Sequence, residues 1–279
     1  MKRTVALLDY DGYICKAYYA GLKENEQFKV LSDLVQSAID RTAEYFNVDK
    51  DDVELIRVIS GHTFKKDIYP SYKLTRKKDE NLGKFREYIK YKLRDELTCV
   101  QNLEADDVLI LLQKHLNTED NCIVFSDDKD LRYYSYRYCK LNTDNEVQTN
   151  DLEAIMNIYA QMLAGDSEDN VKGIPRMGMK TALKYLNENI NPDEDIIKTV
   201  IRCYRDKGID IDNCLRDILL VLPIGCMYLK DFDTPLLLTT GLLEPEQGLD
   251  IDRISARMIS DQLISLNKIV KEVYLEKMD

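Results

Sequence analysis

Apolar and polar positions follow two different periods along the chain. Short apolar runs predict buried strands at Val5–Leu8, Val53–Ile59 and Cys122–Phe125. Apolar side chains that recur with a helical period predict helices over residues 27–46, Glu80–Leu97 and Ala105–Leu116. Strands that alternate with helices in this way favour an α/β fold with a mostly parallel sheet.

The pattern changes towards the second half of the chain. Two further strands, Tyr133–Leu141 and Glu146–Thr149, are predicted to pair across a turn at Asn142–Asn145. From residue 150 onward the pattern is mainly helical. The sequence therefore predicts an α/β core followed by a helical region.

Composition narrows the class of protein. The chain has 279 residues, of which 44% are hydrophobic and 32% are charged, which suits a folded protein with a sizeable core. Nearly uncharged runs such as Ile218–Leu229 fall short of the roughly 20 residues that span a bilayer, and the N-terminus does not resemble a signal peptide. The seven cysteines are scattered and form no Cys-x-x-Cys pair. We therefore expect a cytoplasmic protein without a membrane partner.

Charge is distributed unevenly. The whole chain has a net charge of −11, which argues against a protein that simply coats DNA. Residues 64–94 nevertheless contain eleven Lys and Arg residues against four Asp and Glu residues, a net charge of +7. The basic segment within an otherwise acidic chain indicates the type of partner more specifically than the total charge does. It favours a local contact between this segment and an anionic partner.

Carboxylates occur where the predicted strands end and the helices begin. They form four groups: Asp9; Glu104, Asp106 and Asp107; Asp128 and Asp130; Asp166 and Asp169. Because strand ends and neighbouring helix starts of a parallel sheet face one crevice, we expect these groups to converge. Crowded carboxylates suit a hard cation such as Mg²⁺ or Mn²⁺, and two such ions can promote phosphodiester hydrolysis. Taken singly, each carboxylate could instead be a helix cap, a turn former or a solvated loop charge.

A glycine-bearing hairpin over Gly173–Ala182 leads into a helix that begins near Lys180 and Thr181. Backbone N–H groups at a helix N-terminus bind phosphate, and Lys180 adds a positive charge. The alternative is an ordinary connection between two helices.

These motifs together resemble the 5′–3′ exonuclease/flap endonuclease family, which includes the N-terminal nuclease domain of bacterial DNA polymerase I and stand-alone bacteriophage enzymes. The resemblance runs from about residue 4 to 190, and its most specific motif is Gly165–Ala182. The other motifs that carry it are Leu8-Asp9 with Lys16 and Ala17, Phe64 with Tyr69-Pro70-Ser71-Tyr72-Lys73 and Arg76, Glu104-Ala105-Asp106-Asp107, and Asp128-Lys129-Asp130-Leu131.

The resemblance implies a fold and a domain organisation. It implies a PIN-like, mostly parallel sheet flanked by helices, with a nuclease core over residues 1–165 and a helical arch at about 64–97. It further implies a helical helix-hairpin-helix (H3TH) DNA-binding and C-terminal region over residues 166–279.

The resemblance also implies roles for individual residues. Asp9, Glu104 and Asp106 would hold a first Mg²⁺ with Asp107 close by, and Asp128, Asp130, Asp166 and Asp169 would serve a second; Mn²⁺ could substitute. Lys73 and Arg76 would be catalytic, over the scissile phosphate, and the hairpin 173–180 would bind duplex phosphates with the help of K⁺. The expected DNA-binding residues are Lys16, Lys77, Lys78, Gly173, Arg176, Gly178, Lys180 and Thr181.

Two positions depart from the family pattern. The family has another Asp at the end of its second core strand, where this chain has Ser60, followed by His62. Asp11 is an alternative source of the missing carboxylate. Arg176 stands where the hairpin normally has Gly, so a positive φ there would strain the backbone.

The expected function is that of a metal-dependent, structure-specific 5′ nuclease acting on DNA in replication or repair. The expected partner is DNA with a 5′ flap or a 5′ single-stranded end, bound by a monomer, in the cytoplasm of a bacterial host cell if the protein is phage-encoded. The alternatives are an RNase H-like or PIN-type ribonuclease and a catalytically weakened nucleic-acid-binding protein. The hairpin at 173–182 argues against a plain PIN domain, and the missing carboxylate is the one feature that favours the weakened protein.

Overall fold

The computed structural model describes residues 2–20, 23–119, 121–128, 130–131, 137–141, 146–148, 151–191, 195–223 and 251–275. Its strands are β1 (Thr4–Asp9), β2 (Val53–Val58), β3 (Leu97–Thr98), β4 (Asn121–Phe125), β5 (Arg137–Cys139) and β6 (Glu146–Gln148). Its helices are α1 (Tyr10–Tyr19), α2 (Glu24–Phe46), α3 (Phe64–Ile68), α4 (Glu80–Lys92), α5 (Ala105–Glu119), α6 (Asp151–Ala164), α7 (Met179–Asn189), α8 (Ile196–Asp206), α9 (Ile211–Val221) and α10 (Ile251–Leu275).

The described strands form one sheet in the order β3-β2-β1-β4-β5-β6. All neighbouring pairs are parallel except β5 and β6, which are antiparallel. The mostly parallel sheet predicted from the sequence is therefore confirmed. Parallel pairing places the carboxyl ends of β1, β2 and β4 at the same edge, where Leu8 of β1 lies opposite Phe125 of β4.

The central strand β1 is buried on both faces, which explains its continuous apolar run. Ala6 and Leu8 contribute to a core cluster that also contains residues of α1, α2 and α4. Val5 and Leu7 alternate with them and are also buried, and α5 packs on β1 and β4. The sheet is thus covered by helices, as the predicted α/β class requires.

The predicted elements agree with the structure except in α4. The helix predicted over Glu80–Leu97 ends at Lys92, and Leu97 instead pairs with Arg57 of β2. The predicted antiparallel pair is confirmed between Arg137–Cys139 and Glu146–Gln148. Its predicted turn at Asn142–Asn145, together with residues 132–136 and Thr149, lies outside the described residues.

The described helices after residue 150 pack on one another, and this packing gives α8, α9 and α10 a structural role. Helix α6 contacts α7, α8 and α9, and α10 contacts α8 and α9. The buried Tyr204 hydroxyl donates to the backbone oxygen of Met162 at 2.6 Å, and the Tyr274 hydroxyl donates to the oxygen of Ile209 at 2.7 Å. These bonds satisfy polar groups within a helical core.

Contacts divide the chain into two units, each made of two segments. The first unit comprises residues 1–62 and 77–150, and the second comprises residues 63–76 and 151–279. The sheet belongs to the first unit and the helices from α6 onward belong to the second. The domain boundary at residue 165 stays a prediction, and segment 63–76 is counted with the helical unit.

None of the helices in the described ranges is both long and apolar enough to cross a membrane.

Candidate metal and phosphate sites

Asp9 lies at the end of β1, beside the end of β4. The Ser126 hydroxyl donates to Asp9 Oδ2 at 2.5 Å, and the Asp128 backbone N–H donates to Ser126 Oγ at 2.9 Å. Asp128 Oδ1 in turn accepts from the backbone N–H of Asp130 at 2.8 Å. The ends of two parallel strands thus bring Asp9 and the loop carrying Asp128 and Asp130 together at one edge of the sheet, as expected.

Burial strongly raises the pKa of the Asp9 carboxyl. Removal from water raises the pKa of its carboxyl from 3.8 to about 7, against the lowering effect of the Ser126 hydrogen bond. The charges of Asp11 and Asp128 also raise the pKa of Asp9. A carboxyl in such surroundings is stabilised as an anion when a cation neutralises it, so the position suits a metal ligand.

Three carboxylates lie together at the start of α5, and we call them the acidic cluster: Glu104, Asp106 and Asp107. One oxygen from each lies within 4.8 Å of the others. Glu104 and Asp107 are buried, at 6% and 1% exposure, so water alone does not screen their repulsion. An all-oxygen donor set of this kind fits a hard divalent cation.

The loop after β2 connects the acidic cluster to α1 and α4 of the same unit. Ser60 Oγ accepts from the backbone N–H of Ala105 at 3.0 Å. The Ser60 backbone N–H donates to Asp11 Oδ2 at 2.8 Å, and the Ser60 carbonyl accepts from the Arg86 guanidinium at 2.5 Å. Ser60 therefore stands next to the acidic cluster, whereas His62 is exposed.

Lys16, predicted to bind DNA, is paired within the first unit. Its ammonium lies 2.8 Å from Asp127 Oδ2, and 25% of its side chain is exposed. Lys77 and Lys78 are exposed. On α4, Phe85 and Ile89 face the core, while Lys84 and Lys92 are exposed. The basic segment 64–94 therefore has one apolar face and one charged face around α4, and its role as an arch stays a prediction.

In the second unit, Asp169 is surrounded by groups from the segment 63–76. The Tyr72 hydroxyl donates to Asp169 Oδ2 at 3.1 Å, and the Lys73 ammonium lies 3.7 Å from the same oxygen. The Arg76 guanidinium donates to Asp169 Oδ1. The structure thus brings together one predicted metal ligand and both predicted catalytic cations, Lys73 and Arg76.

Asp166 shapes a tight turn in the same unit. Its backbone N–H and C=O bond to Val171 at 2.9 and 2.7 Å, and its Oδ1 accepts from the backbone N–H of Glu168 at 2.8 Å. Gln161 donates to Asp166 Oδ2 at 3.4 Å. These bonds match the alternative of a turn former, and the predicted ligand role of Asp166 is not tested by them.

The hairpin is built on two glycines that cross closely. Gly165 and Gly173 have φ of +70° and +59°, and a Cβ on Gly165 would lie 2.6 Å from the nitrogen of Gly173. Arg176 has φ +65°, which confirms the strained backbone predicted where the family has Gly. Gly178 precedes α7 without a side-chain cap, and Lys180 and Thr181 are exposed in its first turn. The first turn of α7 is thus exposed at these two residues, and its role as a phosphate site stays a prediction.

Sequence reasoning missed several residues that support these sites. Ser126 follows β4 directly, a position that could have identified it as a neighbour of Asp9. Asp217 is 2% exposed in α9, where it accepts from the Arg216 side chain at 2.6 Å and from the backbone N–H of Gly173. The available signal was that Asp217 directly precedes the apolar run Ile218–Val221 of α9, because a carboxylate beside such a run is prone to burial and then needs partners.

Comparisons with known proteins identify the family that this chain resembles. A family model described as the 5′-3′ exonuclease, N-terminal resolvase-like domain, matches residues 4–159, more than half of the chain. The chain is 27% identical over 197 residues to a 5′-3′ exonuclease of Mycoplasmopsis pulmonis, and the match covers 65% of each protein. It is 29% identical over 143 residues to a DNA polymerase I of Rhizobium leguminosarum, covering 46% of this chain and 14% of that protein. The chain thus spans less than two thirds of the first relative and a small part of the second.

Solved structures of phage T5 nucleases share the fold. T5 5′-exonuclease with bound divalent metal ions (zinc) has a TM-score of 0.57 at 17% identity, over 97% of this chain and 99% of that one. The T5 flap endonuclease in a complex with DNA and metal ions has a TM-score of 0.54 at 15% identity, over 97% and 98%. Together with the parallel sheet, this likeness confirms the predicted fold class, while the H3TH motif within it stays a prediction.

Proposed function

Because the chain belongs to the 5′–3′ exonuclease family, we propose that it is a metal-dependent, structure-specific 5′ nuclease that hydrolyses phosphodiesters of DNA. The observation that carries the proposal is the acidic cluster at the carboxyl edge of the sheet, on the same edge as Asp9. Several buried carboxylates repel one another unless a divalent cation neutralises them. Membership of the family indicates the class of reaction, which is the hydrolysis of phosphodiesters.

The residues present fit such a cation. The acidic cluster and Asp9 would hold a first Mg²⁺, or Mn²⁺ in its place, through oxygen ligands alone. When bound, the metal lowers the pKa of a water and polarises the phosphate. The second predicted ligand set, Asp128, Asp130, Asp166 and Asp169, belongs to the same proposal.

The chain's own cations bind and orient the phosphate in this proposal. Lys73 and Arg76, which both pair with Asp169, would stabilise charge on the reacting phosphodiester. The open first turn of α7, with Lys180 and Thr181, would hold a duplex phosphate, with K⁺ nearby. The substrate would be DNA with a 5′ flap or a single-stranded 5′ end, bound by a monomer during replication or repair in the cytoplasm.

A cleavage assay with labelled substrates tests the proposal. The purified full chain is mixed with a 5′-flap DNA, or with an RNA/DNA hybrid, in Mg²⁺, in Mn²⁺ or in a chelator. We expect cutting of the flap that depends on the metal. Changing Asp128 and Asp130 together to Asn should abolish cutting while DNA binding persists, because less negative charge near the phosphate does not weaken binding.

The outcomes separate the alternatives. Preferred cutting of the hybrid would indicate a ribonuclease, and binding without any cutting would indicate a catalytically weakened binding protein. The variant Glu44→Gln serves as a control, since it removes an exposed carboxylate of α2 that belongs to no site described above. A double variant that cuts at the rate of this control would show that Asp128 and Asp130 are not metal ligands.

A further inference from the structure

The missing carboxylate at the end of β2 leaves a question about what holds the acidic cluster in place. We propose that Arg86 is a positioning residue for the acidic cluster, acting through Asp11 and Ser60. The inference rests on the proposed function, because it concerns the metal affinity of that same site.

Arg86 makes two hydrogen bonds to groups outside α4, besides a bond to its neighbour Glu87 at 3.3 Å. Its Nε donates to Asp11 Oδ1 at 2.6 Å, and its terminal nitrogen donates to the Ser60 carbonyl at 2.5 Å. The side chains of Arg86 and Asp11 are 28% and 27% exposed, so the ion pair is shielded from solvent more than a surface pair. A planar guanidinium can serve both acceptors at once, which makes the geometry specific.

Ser60 passes this restraint to the acidic cluster. Its backbone N–H and carbonyl are held by Asp11 and Arg86, and its hydroxyl oxygen accepts from the Ala105 N–H at 3.0 Å. Ala105 is the first residue of α5 and lies between Glu104 and Asp106. The position of Ser60 therefore sets where the helix begins, and with it where the carboxylates of the acidic cluster point.

The same contacts give Asp11 a role other than that of a metal ligand. Asp11 Oδ1 accepts from Arg86 and Oδ2 accepts from the Ser60 backbone N–H, so Asp11 orients both groups. If Asp11 were nevertheless the ligand, Arg86 would compete with the metal for it. The two roles therefore predict opposite effects of removing the Arg86 charge.

Metal affinity of the full chain without DNA is the measurement that distinguishes these roles. Free Mn²⁺ is measured by electron paramagnetic resonance during titration of the wild type and of Arg86→Gln. Removing a cation near carboxylates should by itself tighten binding of a divalent cation. Loss of a residue that orients metal ligands typically weakens metal affinity about 10- to 100-fold, so we expect about tenfold weaker binding against the electrostatic trend.

Three further variants sharpen the test. Arg86→Lys keeps the positive charge but loses the planar guanidinium that reaches two acceptors at once. Its Mn²⁺ affinity should therefore lie between those of Arg86→Gln and the wild type. Ser60→Ala removes the acceptor for the Ala105 N–H and should weaken Mn²⁺ binding in the same direction. Lys84→Gln removes the same charge from an exposed position of α4 and should leave Mn²⁺ affinity within about twofold or slightly tighter. Thermal unfolding checks each variant, and Arg86→Lys carries the test if Arg86→Gln does not fold.

Each outcome has one meaning. Unchanged or tighter Mn²⁺ binding by Arg86→Gln overturns the positioning role. Tighter binding by Arg86→Gln together with lost binding by Asp11→Asn would assign the ligand to Asp11. A wild type that binds no Mn²⁺ would overturn the proposed function itself, whereas binding by the wild type with no effect of Arg86 overturns the positioning role alone.

Discussion

The crossing of Gly165 and Gly173 allows a stability effect to be worked out from the structure. In Gly165→Ala the new Cβ would lie 2.6 Å from the Gly173 nitrogen, which is backbone and cannot turn away as a flexible side chain would. The left-handed φ of +70° costs roughly 1–2 kcal/mol for a residue with a Cβ. Overpacking adds roughly 1–3 kcal/mol. We therefore expect a loss of about 2–5 kcal/mol, which corresponds to a fall in Tm of about 5–15 °C.

Two other glycines separate these contributions. Gly208 also has φ +70° but nothing within 4 Å of an added Cβ, so Gly208→Ala should lose roughly 1–2 kcal/mol from the backbone alone. Gly83 lies in α4 with open space and an ordinary φ, so Gly83→Ala should gain roughly 0.5–1 kcal/mol. Thermal unfolding followed by circular dichroism measures all three variants. A Tm for Gly165→Ala at or above that of Gly208→Ala would refute the steric argument.

Three further predictions concern Asp9, Lys73 and the basic segment 64–94. Burial raises the pKa of Asp9 to about 7, so in the metal-free protein its contribution to stability is present below pH 4 and is lost as the pH rises through 7. Asp9→Asn should therefore have a higher Tm than the metal-free wild type at pH 8. A Tm difference between the two proteins that does not shrink towards pH 4 would contradict the effect of burial on Asp9. Lys73→Ala should lower single-turnover cleavage about a hundredfold or more, and a loss confined to DNA affinity would leave Lys73 only a docking role. Blocking the 5′ end of a flap with a bulky protein before the enzyme is added should suppress cleavage if the basic segment threads a single strand, and equal cutting of blocked and free flaps would exclude threading.

Two strands of the sheet, β1 and β4, could be predicted from sequence because they are buried on both faces. β1 and β4 therefore appear as continuous apolar runs that end at a polar residue. The end of α4 could not be predicted in the same way. Residues 93–97 contain no Gly or Pro to stop a helix, and Leu97 leaves the helical pattern because it pairs with Arg57 of a neighbouring strand.

The carboxylates of the candidate sites were noticed for a similar local reason, since each group follows the end of a strand or helix or begins a helix. Their partners were not, because the contacts join residues far apart in sequence. Ser126 is 117 positions from Asp9, and Arg86 is 75 positions from Asp11. The helical and strand periods of the sequence do not indicate which distant residues form such pairs. For Arg176 the sequence raised only the condition that a positive φ would strain the backbone, and the structure supplies the φ of +65°.

The division of each unit into two segments has a consequence for synthesis on the ribosome. Segment 63–76 is made early, yet the residues counted with it begin at Asp151, so its contacts wait for at least 75 further residues. Until then Phe64 and Tyr72, which are 6% and 3% exposed in the finished protein, have no core to enter. A fragment ending at Asn150 should be cleaved by chymotrypsin after these two residues, while the whole chain resists. We therefore expect the nascent chain to expose this stretch until the helical unit has been made.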